Sequence, residues 1–333
     1  MNTDAATTRA WTQSAYGGPE VLEQHAIDRP TPGRGEVLVR VRATALNSAD
    51  VKLLRGKPGV LRLGFGLRRP RNPVRGMDVA GTIVAVGEGV DASHVGDEVV
   101  GEISGGGGGL ATYAVTRFDR VVPRPRETDA VTAAAVPLAG GTAWQALHVA
   151  GAGAGSRVLV IGASGGVGTY TVQLAARAGA EVWALCGERN RALVERLGAT
   201  RTFDYRTDGP ESLPEGSFDA VIDIAGEAPL RVVQGLAREG GCIVMVGGEG
   251  EGPFGPIGRM LHALLRSIGG RRRFRPFTAR ATASVTSTLL EMVARGELEP
   301  VIERTFTFDE ARDALAHVDA GHTVGKVVVR VED

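Results

Sequence analysis

A run of alternating apolar and helical segments between residues 157 and 248 constrains the fold of this 333-residue chain most strongly. Segments such as VLVIGA and EVWALCG are apolar almost throughout, and the helical segments between them close on glycines. Strands of this kind form parallel sheets that helices cover on both faces. The pattern predicts a doubly wound α/β domain, with a helix over APLRVVQGLAREGG (228–241) and a strand over CIVMVGG (242–248).

The segments on either side have a different character. Residues from about 10 to 125 contain segments such as EVLVRVRATAL in which apolar and polar residues alternate, as they do in a half-buried strand. Glycine and proline turns separate these segments, which is typical of an antiparallel barrel or sandwich. After residue 270, two amphipathic helices precede a closing strand, GKVVVRV. We therefore predict a β-rich domain (1–127), an inserted α/β domain (128–270) and a return of the chain to the first domain (271–333).

Composition excludes several classes of protein. Lysine plus arginine equals aspartate plus glutamate, at 38 each, so the chain has no net charge to attract nucleic acid or an anionic membrane. The two cysteines, Cys186 and Cys242, lie in apolar runs and are expected to be reduced, buried thiols. No apolar stretch is long enough to span a membrane, and the N-terminus resembles no secretory signal, so we expect a cytoplasmic protein.

The turn GASGGVG, from Gly162 to Gly168, follows one apolar strand and opens a helix. In that context glycines let the backbone approach a pyrophosphate, and the helix N-terminus attracts its negative charge. The first position of the usual G-x-G-x-x-G pattern holds alanine, which fits if its φ angle stays negative. We predict a dinucleotide site whose turn is formed by Ala163, Ser164, Gly165, Gly166 and Val167.

The end of the next strand indicates which dinucleotide binds. An acidic residue at this position usually binds the ribose 2′-hydroxyl of NAD. Here the strand ends in Cys186 and Gly187, and Glu188 and Arg189 follow in the loop. The missing carboxylate and the nearby arginine favour a 2′-phosphate, and hence NADP(H), with Cys186, Gly187 and Arg189 as contacts.

The motifs GEVLVRVRATALNSADVKLLRG, RGMDVAGTIVAVGEGV, AAAVPLAGGTAWQAL and VLVIGASGGVG together resemble the medium-chain dehydrogenase/reductase superfamily. Within it, the chain resembles the zinc-independent branch of quinone oxidoreductases and enoyl reductases. The resemblance implies an α/β protein with a GroES-like β-barrel catalytic domain and a Rossmann doubly wound parallel-sheet cofactor domain. It also implies a homodimer.

Zinc-dependent members of this superfamily carry a cysteine where this chain has Asn47, and a His-Glu pair where it has Met77 and Asp78. Asparagine and methionine are poor zinc ligands, so we predict no metal. Without a Lewis acid, hydride transfer to an activated double bond is easier than oxidation of an alcohol. The expected substrate is a quinone or an α,β-unsaturated carbonyl compound. The alternatives are an alcohol dehydrogenase-like enzyme for one biosynthetic metabolite, and a regulatory or RNA-binding protein that binds cofactor without turnover.

The resemblance also implies individual site residues. We predict catalytic roles for Asn47, Lys52 and Thr142, although a turn asparagine, a solvated lysine and a helix N-cap are the simpler interpretations. A structural ion pair between Arg55 and Asp78 is also expected. The further residues expected at the cofactor are Thr142, Tyr205, Ile224, Ala225, Val246, Gly247, Gly248 and Lys326.

Two arginine-rich segments have no role in this scheme. They are LRRPRNPVR (67–75) and GGRRRFRPF (269–277). Solvated basic surface is the simpler interpretation. The alternative is a patch that receives an anionic group of the substrate, such as a phosphate.

Overall fold

The computed structural model describes residues 7–247, 255–268 and 270–331. The chain divides into two compact units: unit 1 contains Met1–Leu138 and Ala281–Asp333, and unit 2 contains Ala139–Arg280. In the described part of the chain, every helix is too short or too polar to cross a bilayer.

The strands, in chain order, are β1 (Thr7–Gln13), β2 (Leu22–Asp28), β3 (Glu36–Leu46), β4 (Asp78–Val86), β5 (Glu98–Glu102), β6 (Tyr113–Arg117), β7 (Val121–Pro123), β8 (Arg157–Ile161), β9 (Glu181–Cys186), β10 (Arg201–Asp204), β11 (Phe218–Asp223), β12 (Ala237–Met245), β13 (Arg273–Pro276), β14 (Ile302–Thr307) and β15 (Lys326–Arg330). The α-helices are α1 (Ser48–Arg55), α2 (Leu61–Phe65), α3 (Ala130–Ala134), α4 (Pro137–Ala150), α5 (Gly166–Arg177), α6 (Arg191–Arg196), α7 (Leu230–Leu236), α8 (Gly255–Ser267), α9 (Ala283–Ala294) and α10 (Ala311–Asp319).

Unit 1 is built on a sheet in the order β14-β15-β3-β4-β5-β7, with β6 also paired to β3. The long strand β3 joins the two parts of the chain, because it pairs with β4 on one side and with the C-terminal β15 on the other, both antiparallel. Its alternating apolar residues, among them Val37, Val39 and Val41, are buried in the core of this unit. This is the GroES-like domain that the sequence predicted.

Unit 2 is a parallel sheet in the order β10-β9-β8-β11-β12-β13 with helices between its strands. This is the doubly wound Rossmann order, and the predicted fold class is confirmed. The strand order reverses between β8 and β11, so ligands are expected at the carboxyl ends of these strands.

Two segments of unit 2 differ from the sequence prediction. The helix expected over 228–241 ends at Leu236, and β12 begins at Ala237. Gly240 has a positive φ of 80°, which interrupts helical backbone, and β12 shifts its register against β11 at this point. Strand β13, which was not predicted, lies in the second arginine-rich segment, where Phe274 is buried between exposed arginines.

Both unit boundaries lie further along the chain than the predicted ones. The first lies later because α4 starts at Pro137 and its first two residues belong to unit 1. The second lies later because β13 completes the sheet of unit 2. The cysteines are both free; Cys186 is buried as expected, whereas Cys242 is half-buried.

Candidate functional site

Four polar residues meet at one edge of the sheet in unit 1, and we call them the sheet-edge cluster: Asn47, Asp78, Glu102 and Lys326. Pairing of β15 with β3 sets Val327 opposite Leu46, which brings Lys326 beside Asn47. Pairing of β4 with β5 sets Asp78 opposite Glu102. Strand register thus brings together residues that are up to 279 positions apart in the chain.

Lys326 and Asp78 are both buried, with 2% and 0% of their surface exposed. The Lys326 ammonium donates to the Leu46 carbonyl (3.2 Å) and to Asn47 Oδ1 (2.5 Å), and it lies 3.4 Å from Asp78 Oδ2. Burial raises the pKa of Asp78, while the charge of Lys326 opposes that rise. The core of the cluster is therefore a desolvated ion pair in which each charge depends on the other.

The Asn47 amide is fixed by this ion pair. Its Nδ2 donates to Asp78 Oδ2 at 3.0 Å, and its second N–H has only a long contact, 3.4 Å, to the Ala45 carbonyl. Asn47 is also the N-cap of α1, which agrees with the simpler interpretation of a turn residue, and its backbone N–H donates to Asp50 Oδ2. One amide N–H is therefore held in a defined direction with a weak partner.

The ion pair expected between Arg55 and Asp78 is wrong. Arg55 on α1 instead pairs with Asp319 on α10, with its Nε 2.7 Å from Oδ1. Helices α1 and α10 pack together, which brings Arg55 and Asp319 into contact, whereas Asp78 forms its ion pair with Lys326. The sequence offered no signal for the Asp78–Lys326 pair beyond an expected lysine near the cofactor.

The other two residues predicted to be catalytic lie on helices. Lys52 is half-buried on α1, and its ammonium has no hydrogen bond or ion pair with any described residue. Thr142 is buried inside α4 in unit 2, five residues after its start at Pro137, so it is not the N-cap of this helix. The structure brings Asn47 and Lys326 together. The catalytic roles of Asn47, Lys52 and Thr142 stay predictions.

Glu102 is buried, with 9% of its surface exposed, and burial raises its pKa to about 7 from an ordinary 4.5. Because the folded-state pKa is the higher one, this group stabilises the fold fully below pH 4.5, and the contribution is lost as the pH rises to 7. Glu102→Gln should therefore raise the free energy of unfolding at pH 8 by up to about 3 kcal/mol, with no difference at pH 4. Denaturant titrations at both pH values test this; an equal shift at both would contradict it.

In unit 2, the turn between β8 and α5 has the geometry that a pyrophosphate requires. Gly162 has φ of 86°, and α5 begins at Gly166 with Gly165 as its N-cap. A Cβ on Gly168 would lie 2.2 Å from the Gly162 carbonyl oxygen, so only glycine lets the helix pack this closely. A Cβ on Gly165 would meet only that oxygen, at 3.6 Å, so this glycine faces open space.

Alanine at the first position of the motif fits as expected. No non-glycine residue in the described part of the chain has a positive φ, and Ala163 is completely buried with its N–H bonded to the Leu185 carbonyl. Ser164, Gly166 and Val167 are half-buried around the open side of the turn. The turn thus exposes backbone at a helix N-terminus, which is an anion-binding arrangement.

The neighbouring strand ends complete this edge of the sheet. Ile224 and Ala225 follow β11, and Val246 and Gly247 follow β12, all half-buried; Gly248 lies outside the described residues. Asp223, which the sequence analysis did not single out, is fully buried and accepts from the Gly226 N–H at 2.8 Å and from Arg259 at 3.3 Å. It fixes the loop that carries the first two of these residues.

An arginine that sequence reasoning missed, Arg206, follows β10 and lies against the end of β9. Gly187 lies close to Arg206: a Cβ on this glycine would be 3.3 Å from Arg206 Nη1. The Arg206 guanidinium also lies over the ring of Tyr205. Glu188, the carboxylate in the loop after β9, is paired with Arg191 at 3.1 Å. Exposed Arg189 lies in the same short helix as Glu188. The signal for Arg206 was its position beside the predicted Tyr205.

A catalytic zinc ion does not fit the sheet-edge cluster. The positions of the two soft zinc ligands hold Asn47 and Met77, and the Lys326 ammonium already supplies the cation beside Asp78. A divalent ion there would have to displace or deprotonate this lysine.

Comparisons with known proteins agree with both units. Residues 33–126 match the family model of the alcohol dehydrogenase GroES-like domain, and residues 197–329 match that of zinc-binding dehydrogenase. Among solved structures, the quinone oxidoreductase from Coxiella burnetii has a TM-score of 0.87 and 26% identity, over 98% of this chain and 100% of that one.

Two relatives from Arabidopsis thaliana have a higher sequence identity to this chain. The chloroplast envelope quinone oxidoreductase homolog is 36% identical over 95% of this chain and 96% of its own length. The NADPH-dependent alkenal/one oxidoreductase is 31% identical over 96% of this chain and 79% of its own length. The chain therefore belongs to the quinone oxidoreductase and enoyl reductase branch of the medium-chain dehydrogenase/reductase superfamily, and it is an NAD(P)H-dependent oxidoreductase.

Proposed function

We propose that this protein uses NADPH, without zinc, to reduce a quinone or an α,β-unsaturated carbonyl compound. The observation that carries the proposal is the buried Lys326 ammonium beside Asp78, in the cluster where zinc-dependent relatives bind metal. The names of the Arabidopsis relatives, a quinone oxidoreductase homolog and an alkenal/one oxidoreductase, support the substrate class.

The residues of unit 2 fit a dinucleotide. The backbone from Ser164 to Val167 would hold the pyrophosphate, and the strand ends at Ile224 and Val246 would border the nicotinamide half. When bound, NADPH supplies the hydride. Thr142, predicted beside the nicotinamide, is buried on α4 in this unit.

The residues of unit 1 would orient and polarise the substrate. Asn47 has one amide N–H with a weak partner, and this N–H can donate to a carbonyl oxygen on which negative charge develops. Lys326 strengthens that donor, because its ammonium draws electron density from Asn47 Oδ1. The Lys52 ammonium on α1, which has no partner among the described residues, is a second source of positive charge. Solvent can supply the proton to the product.

A preference for NADPH over NADH follows from the arginines near the end of β9. Arg206→Gln and Arg189→Ala should each weaken NADPH binding by about tenfold or more, since each removes a charge-assisted hydrogen bond to the 2′-phosphate. NADH affinity should stay within about twofold, because NADH lacks that phosphate. Fluorescence titrations with both cofactors measure this. Arg271→Gln is the matched control, since Arg271 is exposed and pairs with Glu239.

Equal losses for NADPH and NADH in both arginine variants would refute the assignment of the 2′-phosphate site.

Steady-state assays test the proposed reaction. Protein treated with a chelator should oxidise NADPH with 1,4-naphthoquinones or with conjugated enones, and added zinc should not raise the rate. If NADPH binds but no quinone or enone is reduced, the protein is a binding protein and the proposal fails. If the protein instead oxidises a simple alcohol, and this activity requires added zinc, the alternative of an alcohol dehydrogenase-like enzyme is favoured.

The proposal includes a homodimer, which the family resemblance implies, and the cytoplasmic location that the sequence analysis expects. Light scattering coupled to size-exclusion chromatography should give twice the 34.7 kDa chain mass.

A further inference from the structure

A cavity of about 370 Å³ lies within unit 1, in the first arginine-rich segment. Its lining residues are Gly64, Phe65, Arg71, Asn72, Arg75 and Gly105. The first two end α2, and Gly105 belongs to the short turn Ser104–Gly106 that follows β5. The proposed reductase mechanism gives none of these residues a role.

Arg75 is buried to 1% exposure, which is unusual for a charged side chain. Its Nη1 donates to the Gly106 carbonyl at 2.9 Å and its Nη2 to the Asn72 carbonyl, while its Nε has no hydrogen-bond partner among the described residues. No described carboxylate lies within ion-pair distance of it. Asp50 acts on it only from further away, and both Asp50 oxygens accept backbone N–H groups of Asn47 and Gly76.

This guanidinium is therefore a buried charge without a direct counterion. Burial lowers the pKa of Arg75, which shows the cost of keeping it charged at this position. Buried charges in proteins are normally paired, because desolvation of a lone charge costs several kcal/mol. An anion in the adjacent cavity would supply the missing charge.

The rest of the lining suits an organic anion. Arg71 is exposed, and its only hydrogen bond to a described residue is a long one, 3.4 Å, to the Gly64 carbonyl, so its guanidinium can turn toward a ligand. Asn72 is fixed by bonds to Gly107 and Val74, and Phe65 offers a half-buried apolar face. The volume falls in the range of small-molecule pockets, roughly 300–1,000 Å³, and greatly exceeds that of an inorganic ion.

We propose that this cavity binds the carboxylate or phosphate group of an organic anion through Arg75 and Arg71, with the apolar part of the ligand against Phe65. The site is connected to the sheet-edge cluster by two hydrogen bonds: Gly76, next to Arg75, donates to Asp50, and Asp50 accepts from Asn47. The anionic group belongs either to the substrate, which rests on the proposed function, or to a separate ligand.

Binding is measured first without turnover. Calorimetric titration with inorganic phosphate, and with the carboxylate of a naphthoquinone that bears a propionate chain, should show saturable binding to the wild type. Arg71→Gln should weaken both by about tenfold, the loss of one charge-assisted hydrogen bond. Arg75→Gln should weaken them more, and if that variant fails to fold, Gly64→Phe replaces it.

Gly64→Phe tests the cavity sterically. A Cβ on Gly64 meets no atom within 4 Å, so the variant should fold, while its ring fills the cavity and abolishes binding. Gly59→Phe is the matched control, because Gly59 is equally open and does not line the cavity. Arg34→Gln controls for charge, since Arg34 is a solvent-exposed arginine elsewhere in unit 1. Binding that is absent in the wild type, or unchanged in Arg71→Gln and Gly64→Phe, overturns the proposal.

Turnover then identifies the source of the anion. If the substrate carries the anionic group, kcat/KM for the propionate quinone should exceed that for its methyl ester by more than about tenfold. In Arg71→Gln this difference should largely disappear. If a separate anion occupies the cavity, acid and ester should be reduced at similar rates and phosphate should still bind. If neither quinone is reduced while the anions bind, the proposed function fails and the anion site stands.

Discussion

Gly165→Ala should weaken NADPH binding by about 100-fold, equivalent to about 2.7 kcal/mol, while the protein remains folded. The added methyl group meets no protein atom closer than 3.6 Å, and the backbone at Gly165 is extended, a conformation that alanine adopts freely. The methyl group would occupy the space through which the pyrophosphate approaches the helix N-terminus. Calorimetric titration measures the loss, and thermal unfolding confirms the fold.

Gly168→Ala is the informative contrast to this change. Its Cβ would lie 2.2 Å from the Gly162 carbonyl oxygen and 2.7 Å from the Ala163 backbone, so it should destabilise the protein itself. Gly153→Ala, in an open loop, should alter neither binding nor stability. Undiminished NADPH affinity in Gly165→Ala would mean that the dinucleotide does not bind at this turn.

Lys326→Met should lower the free energy of unfolding by about 3–5 kcal/mol, because it leaves the fully buried carboxylate of Asp78 without its counterion. It should also lower kcat, since the Asn47 amide loses the ammonium that orients and polarises it. Urea unfolding at pH 7 and steady-state kinetics measure the two effects.

A double-mutant cycle separates the ion pair from simple loss of packing. Adding Asp78→Asn to Lys326→Met should recover stability, with a coupling energy of about 1–3 kcal/mol between the two positions. The kcat should not recover, because the polarising charge is still absent. Strictly additive effects on stability would show that the two charges do not depend on each other.

The regular parts of this fold could be predicted from the sequence because their signals are local. The apolar strands at 157–161 and 181–186, and the glycine turn between β8 and α5, were identified from pattern and spacing alone. Strand β13 was missed because its segment has four arginines and one buried apolar residue, Phe274, which is too few for a recognisable strand pattern. The helix expected over 228–241 failed at Gly240, whose positive φ is a property of the folded backbone.

The candidate site was harder to predict because it depends on strand register. Asn47 and Lys326 were identified by resemblance, but their contact follows from the antiparallel pairing of β3 with β15. The same pairing places Lys326 beside Asp78, so that Asp78 pairs with this lysine and Arg55 pairs with Asp319. No spacing in the sequence distinguishes these partners, since their separations exceed 240 residues.

Isotope labelling can follow the transferred hydride from the cofactor to the product. Chelator-treated protein would be mixed with NADPH that carries deuterium at both hydrogen positions of nicotinamide C4 and with a conjugated enone, in a single turnover. The proposed reaction requires that deuterium appears at the β-carbon of the saturated ketone, that the hydrogen added at the α-carbon comes from water, and that zinc changes neither result. Failure to transfer the deuterium to any enone or quinone, or transfer only after zinc is added, would contradict it.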